Sequence, residues 1–108
     1  MAQDVIERIK GEIENNKVVV FMKGIPDAPQ CGFSAATVQI LRNFPYPFKG
    51  VDILANPDIR ATLPEYSHWP TFPQVFINGK LVGGCDIMHE LYDSGELEKL
   101  LKEAFQEK

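Results

Sequence analysis

Residues Cys31-Gly32-Phe33-Ser34 put one thiol where a redox motif would carry two. A strand-like run, Val18 to Met22, comes just before, and a helix-like run, Ser34 to Arg42, just after. Cys31 therefore falls at a strand-to-helix junction, at or beside a helix N-terminus. Unpaired backbone N–H groups there favour negative charge. A thiol so placed loses its proton readily, and the thiolate is both nucleophile and metal ligand. The second cysteine of a C-x-x-C motif is replaced by Ser34, and a serine cannot resolve a mixed disulfide. Cys31 therefore does not pass electrons through a disulfide closed within these four residues. A free cysteine is often a buried small hydrophobe; the junction and the neighbouring Gly32 favour a chemical role instead.

Other polar residues have two readings each. Lys23 ends the first strand, either as a solvated lysine or as a cation facing Cys31, where it would favour the thiolate. Arg60 lies on the helix face opposite Ile59 and Leu63, where most arginines simply meet solvent. Pro73, after Thr71-Phe72, is either an edge-strand proline or a proline in the cis form. Asp86, after Gly83-Gly84-Cys85, reads as a helix N-cap. Trp69 reads as packing near this region. His68 and His89 read as surface or satisfied residues. Neither histidine stands at a metal-ligand spacing from either cysteine, which argues against a structural zinc site.

The elements that must position these residues follow from periodicity. Val5, Ile6, Ile9 and Ile13 recur at helical spacing up to Asn15-Asn16. Lys17 to Met22 reads as a buried strand, and Gly24 to Gln30, with two prolines, as a loop. Ala35, Ala36, Val38, Ile40 and Leu41 give the next helix an apolar side. Phe48 to Ile53 reads as a second strand. Asn56-Pro57 predicts a helix start with Asn56 as N-cap and Pro57 at the first helical position. Ile59, Leu63 and Tyr66 form its apolar stripe, and Pro64 is expected to kink or shorten it. Asn78-Gly79 between Val75-Phe76-Ile77 and Lys80-Leu81-Val82 predicts a type I′ hairpin. A helix with Ile87, Leu91 and Tyr92 is broken at Gly95. Leu97, Leu100, Leu101, Ala104 and Phe105 stripe the last helix. The order α-β-α-β-α-β-β-α-α predicts an α/β, thioredoxin-like fold: a four-stranded mixed sheet with helices on both faces.

The chain has 108 residues, enough for one domain spanning 1–108. With 44% apolar and 24% charged residues its composition is that of a globular protein, and its net charge of −4 argues against nucleic acid or an anionic membrane as main partner. No apolar run is long enough to span a bilayer. The N-terminal residues lack the pattern of a secretory signal, so a cytoplasmic location is expected. Two cysteines in such a chain suggest redox or metal chemistry over a disulfide framework.

Several segments in order resemble the monothiol glutaredoxins of the CGFS type, in their short bacterial form: Lys23-Gly24, Cys31-Gly32-Phe33-Ser34, Asn56-Pro57-Asp58-Ile59-Arg60, Trp69-Pro70-Thr71-Phe72-Pro73-Gln74 and Gly83-Gly84-Cys85-Asp86. The resemblance covers almost the whole chain. It implies that glutathione is bound by Lys23, Arg60, Thr71, Phe72, Pro73, Gly84, Cys85 and Asp86. Lys23 would face Cys31 and a carboxylate of glutathione, Arg60 would take the glycyl carboxylate, and the Phe72 main chain beside a cis Pro73 would pair with the cysteinyl part. Asp86 would take the γ-glutamyl amino group. It also implies a 2Fe-2S cluster at a homodimer interface, for iron–sulfur cluster biogenesis and iron homeostasis. Recipient apoproteins and a BolA-type protein are the implied partners.

A 2Fe-2S cluster usually takes four thiolates. Cys31 with one glutathione thiolate, doubled in a dimer, supplies four; so would Cys31 and Cys85 from two chains. The count alone leaves both open, and the resemblance favours glutathione. A Cys31–Cys85 disulfide under oxidation is a further option. The alternative to a carrier is a weak glutathione-dependent thiol-disulfide oxidoreductase acting in deglutathionylation through Cys31.

Overall fold

A computed structural model describes residues 2–106. Helix α1 (Ala2–Asn15) leads into strand β1 (Val18–Met22). A short ribbon follows, β2 (Gly24–Ile25) and β3 (Ala28–Pro29), and then α2 (Gly32–Leu41). Next come β4 (Lys49–Asp52), α3 (Pro57–Ser67), β5 (Gln74–Ile77), β6 (Lys80–Gly83), α4 (Cys85–Ser94) and α5 (Glu96–Phe105).

The main sheet has the order β4-β1-β5-β6. Strand β1 pairs parallel with β4 and antiparallel with β5, and β5 pairs antiparallel with β6. All five residues of β1 are buried, as befits a central strand covered on both faces. Alternate side chains go to opposite faces. Val18, Val20 and Met22 join Val38, Leu41, Met88, Leu97 and Leu101 in one core. Val19 and Phe21 join Val5, Ile9, Ile13, Ile59 and Leu63 in the other. Helices α2, α4 and α5 thus cover one face, and α1 and α3 the other. The expected thioredoxin-like fold is the one observed. Among the described residues, no helix is long and apolar enough to cross a membrane.

Asn78 and Gly79 both take positive φ, 55° and 81°, as the type I′ hairpin requires. The α5 stripe buries Leu97, Leu101 and Ala104. Three local expectations are corrected. Gly24 to Gln30 is a two-stranded ribbon, with Gly24 opposite Pro29 and Ile25 opposite Ala28; pairs this short leave no periodic trace in sequence. Helix α3 runs through Pro64 to Ser67 without shortening, pinned to the sheet by fully buried Ile59 and Leu63. Its third stripe residue, Tyr66, stays exposed. Asn56 takes the N-cap position of α3 and Pro57 the first helical one, as expected; what differs is that the Asn56 side chain makes no cap bond, its amide being spent on Asp52 and Arg8 instead.

The ribbon is tightly seated. Gly24 has φ +90°, and a Cβ there would lie 2.6 Å from the Ala28 carbonyl oxygen and 2.7 Å from the Gln30 nitrogen. Gly24→Ala is therefore expected to cost about 2–4 kcal/mol, backbone strain and overpacking together. At Gly32 a methyl group would meet nothing within 4 Å. Gly32→Ala is accordingly expected to change stability by no more than about 0.5 kcal/mol. Urea midpoints of the two variants check this; equal losses would contradict it.

Candidate functional site

Cys31 occupies the N-cap position of α2, with extended backbone at φ −152° and ψ 137°. Its sulfur makes no side-chain cap hydrogen bond of normal geometry, yet the N–H groups of the first turn lie near enough to favour its thiolate. Its pKa is held below the ordinary thiol value, chiefly by the Ser34 backbone N–H. Partial burial opposes this, while the Phe33 N–H, the positive charge of Lys23 and the Ser34 hydroxyl add to it. These donors are the free amides of a helix first turn, set against a favourable dipole. The sulfur remains partly accessible, the condition for a reactive rather than an inert cysteine.

Ser34 does more than replace a second cysteine. It is fully buried, and its Oγ accepts the Lys23 backbone N–H at 3.1 Å. The hydroxyl that helps hold the Cys31 thiolate thus also fixes the end of β1. The Lys23 carbonyl in turn accepts the Gln30 N–H at 2.9 Å. Both main-chain groups of Lys23 are tied down, and its side chain is left at the edge of the sulfur's field.

One groove of about 590 Å³ collects the residues singled out in the sequence. Lys23, Cys31, Arg60, Thr71, Phe72, Pro73, Gly84, Cys85 and Asp86 all line it. They arrive on the ends of several elements: Lys23 after β1, Cys31 before α2, Arg60 in the first turn of α3, and Cys85 and Asp86 in the first turn of α4. Two helix N-termini therefore open onto the same space as two cations and one activated thiol. Such a groove suits an extended ligand with carboxylates and a sulfur atom.

The Phe72–Pro73 peptide is cis. Asp86 is not an N-cap: Gly84 holds that position and Asp86 is the second helical residue, which leaves its carboxylate on the groove wall. Cys85 is buried and Cys31 half-buried, and both thiols are free. Trp69 lines the groove beside Pro70 and Ile87, and His68 and His89 are exposed.

Gln74 is the contributor that sequence reasoning passed over. Its side chain is fully buried, and its Nε2 donates to the carbonyls of Trp69 at 2.8 Å and Thr71 at 3.2 Å. It thereby shapes the loop that carries the Thr71–Pro73 wall. The available signal is a polar amide opening an otherwise apolar strand, Gln74 to Ile77. Phe33 is a second such residue; it is 63% exposed on the groove rim next to Cys31.

A model of the glutaredoxin family matches residues 18–82. Glutaredoxin 4 of Escherichia coli is 55% identical over 98 residues, which are 91% of this chain and 85% of that protein. The probable monothiol glutaredoxin 2 of Rickettsia conorii is 56% identical over 94 residues, 87% of this chain and 88% of its own. Among solved structures, reduced poplar apo GrxS14 matches with a TM-score of 0.78 at 48% identity, covering 94% of this chain and 91% of that one. With a single thiol in its Cys31-Gly32-Phe33-Ser34 motif, the chain belongs to the glutaredoxin family, as a monothiol glutaredoxin of the bacterial type.

Proposed function

We propose that this protein binds glutathione in the groove and carries a 2Fe-2S cluster between two copies of itself, passing it to recipient apoproteins. The observation that carries this reading is one activated, accessible thiol in a groove with two cations and two helix N-termini. A glutaredoxin of the same fold, from buckwheat, is known as a glutathione complex. In this groove the Arg60 fork and the Lys23 ammonium suit the glycyl carboxylate. The Phe72 main chain suits the cysteinyl peptide unit, as an added strand would pair. Asp86 suits the γ-glutamyl amino group, and the free amides of the α4 first turn suit its carboxylate. Thr71, Pro73, Gly84 and Cys85 complete the walls.

The cluster is cargo, and the thiolate count admits glutathione as co-ligand, the version the resemblance favours. Among the described residues, no group of three or more His, Cys, Asp or Glu side chains converges on a metal position. Cys31 supplies one thiolate, and glutathione held beside it a second. A two-fold pair of chains supplies the four that a 2Fe-2S cluster usually takes. A BolA-type protein replacing one copy would fill the same half of the ligand set. The proposal places the protein in the cytoplasm, where glutathione keeps thiols reduced.

The depressed thiol pKa also supports a slower second activity. The Cys31 thiolate attacks the glutathione sulfur of a mixed disulfide and expels the partner thiolate. A second glutathione thiolate then attacks the Cys31-bound glutathione, releasing glutathione disulfide and the Cys31 thiolate. Ser34 offers no dithiol route.

In anaerobic reconstitution with iron, sulfide and glutathione, Cys85→Ser is expected to keep the visible cluster absorbance and Cys31→Ser to lose it; loss in a folded Cys85→Ser would contradict the glutathione-ligated version. Turnover with glutathione and a mixed-disulfide substrate is expected to be weak, and a rate matching dithiol glutaredoxins would refute that. In the apo protein, iodoacetamide alkylation of Cys31 should have its pH midpoint below the ~8.5 of a free thiol, because the folded site favours the thiolate. Lys23→Ala moves that midpoint upward, and a wild-type midpoint at or above the free value would overturn this account of the site.

A further inference from the structure

We propose that Asp52 is a positioning residue, coupling the segment that carries Lys23 to the helix that carries Arg60 through Asn56. Neither Asp52 nor Asn56 lines the groove, so both act through others. Asp52 Oδ1 accepts the Gly24 N–H at 2.9 Å, directly after Lys23, and the Leu54 N–H at 2.9 Å. The Asp52 carbonyl accepts Asn56 Nδ2 at 2.8 Å. The Asn56 carbonyl accepts the Arg60 N–H at 3.1 Å. An unbroken chain of hydrogen bonds therefore runs from the main chain next to one groove cation to the main chain of the other.

Arg8 anchors this chain from the opposite side. Its Nη2 donates to Asn56 Oδ1 at 2.8 Å, and its Nη1 pairs with Asp58. The Asn56 side-chain amide is thus used at both ends, which explains why it makes no side-chain bond to α3 from the N-cap position. The bond to Gly24 also completes the seating of Lys23, whose own N–H and C=O go to Ser34 and Gln30.

A ligand carboxylate shared by two cations is bound best when their spacing is set beforehand. Any freedom left in the Lys23 segment must be given up on binding. An arginine fork also tolerates misplacement poorly. Asp52 supplies this preorganisation by its acceptor oxygen rather than by its charge. A carboxylate near the groove by itself would weaken binding of an anion.

The inference rests on glutathione as the groove's ligand, and its test separates the two. Calorimetric titration of reduced glutathione into the apo protein is expected to show binding weakened about fivefold to tenfold in Asp52→Ala, the loss typical of one hydrogen bond. Asp52→Asn keeps the acceptor without the charge and is expected to bind at least as well as wild type. Asn56→Ala breaks the middle link and is expected to lose about as much as Asp52→Ala, which serves should the latter fail to fold. Wild-type affinity in folded Asp52→Ala, or an Asp52→Asn as weak as Asp52→Ala, would overturn the proposal. A second readout needs no ligand: hydrogen exchange at the Lys23 and Gly24 amides should quicken in Asp52→Ala and not in Asp52→Asn. Unchanged exchange overturns the positioning claim. Quickened exchange with no glutathione binding by wild type supports it and counts against the glutathione reading alone.

Discussion

The backbone N–H groups of Ser34 and Phe33 hold negative charge on the Cys31 sulfur, and the rest of the site is built to keep that sulfur where it is. Those amides are free because they belong to the first turn of α2. The turn stays put because Val38, Ile40 and Leu41 are buried in the core on one face of the sheet. Ser34 then joins the turn to β1 by accepting the Lys23 N–H. A helix start, a strand end and a cation are thereby fixed against one another by a single hydroxyl. A cysteine in place of Ser34 would offer a weaker acceptor there as well as a second thiol.

The groove depends on element ends, and the sheet decides where those ends meet. Strands β1 and β4 are parallel neighbours, so Lys23 and Asp52 emerge at the same end of the sheet. Strand β5 runs antiparallel to β1, so the Trp69–Pro73 loop that leads into it arrives there too. The hairpin returns β6 to the same end, where Gly84 starts α4. The site is thus a consequence of strand direction, and its chemistry comes from residues at junctions rather than from any one element.

Much of this was legible in the sequence because the strongest signals are local or periodic. The Asn78-Gly79 turn needs positive φ, and the α5 stripe needs one buried face; both requirements leave a mark on residue types. Cys31 stood out from its place at a strand-to-helix junction, while Lys23, Arg60, Thr71–Pro73 and Gly84–Asp86 took their binding roles from resemblance, and all converge on one groove. What could not be read were contacts made across sequence by ordinary polar residues. Asn56 stands at the N-cap as its type suggests, yet its side-chain amide serves Asp52 and Arg8 rather than the helix. Asp86 looks like a cap too, but two glycines let the helix begin earlier, at Cys85. The Gly24–Pro29 ribbon has pairs too short to show a period. Ser34, Gln74 and Asp52 carry no chemical signature of their own, and their importance comes from which backbone groups reach them.

The most direct test of the central claim is native mass spectrometry of the protein reconstituted anaerobically with iron, sulfide and glutathione. The expected species has two chains, one 2Fe-2S cluster and two glutathiones, with Cys31 and glutathione together supplying the four thiolates. A cluster-bearing dimer without glutathione would contradict it and point to Cys85 as the second ligand.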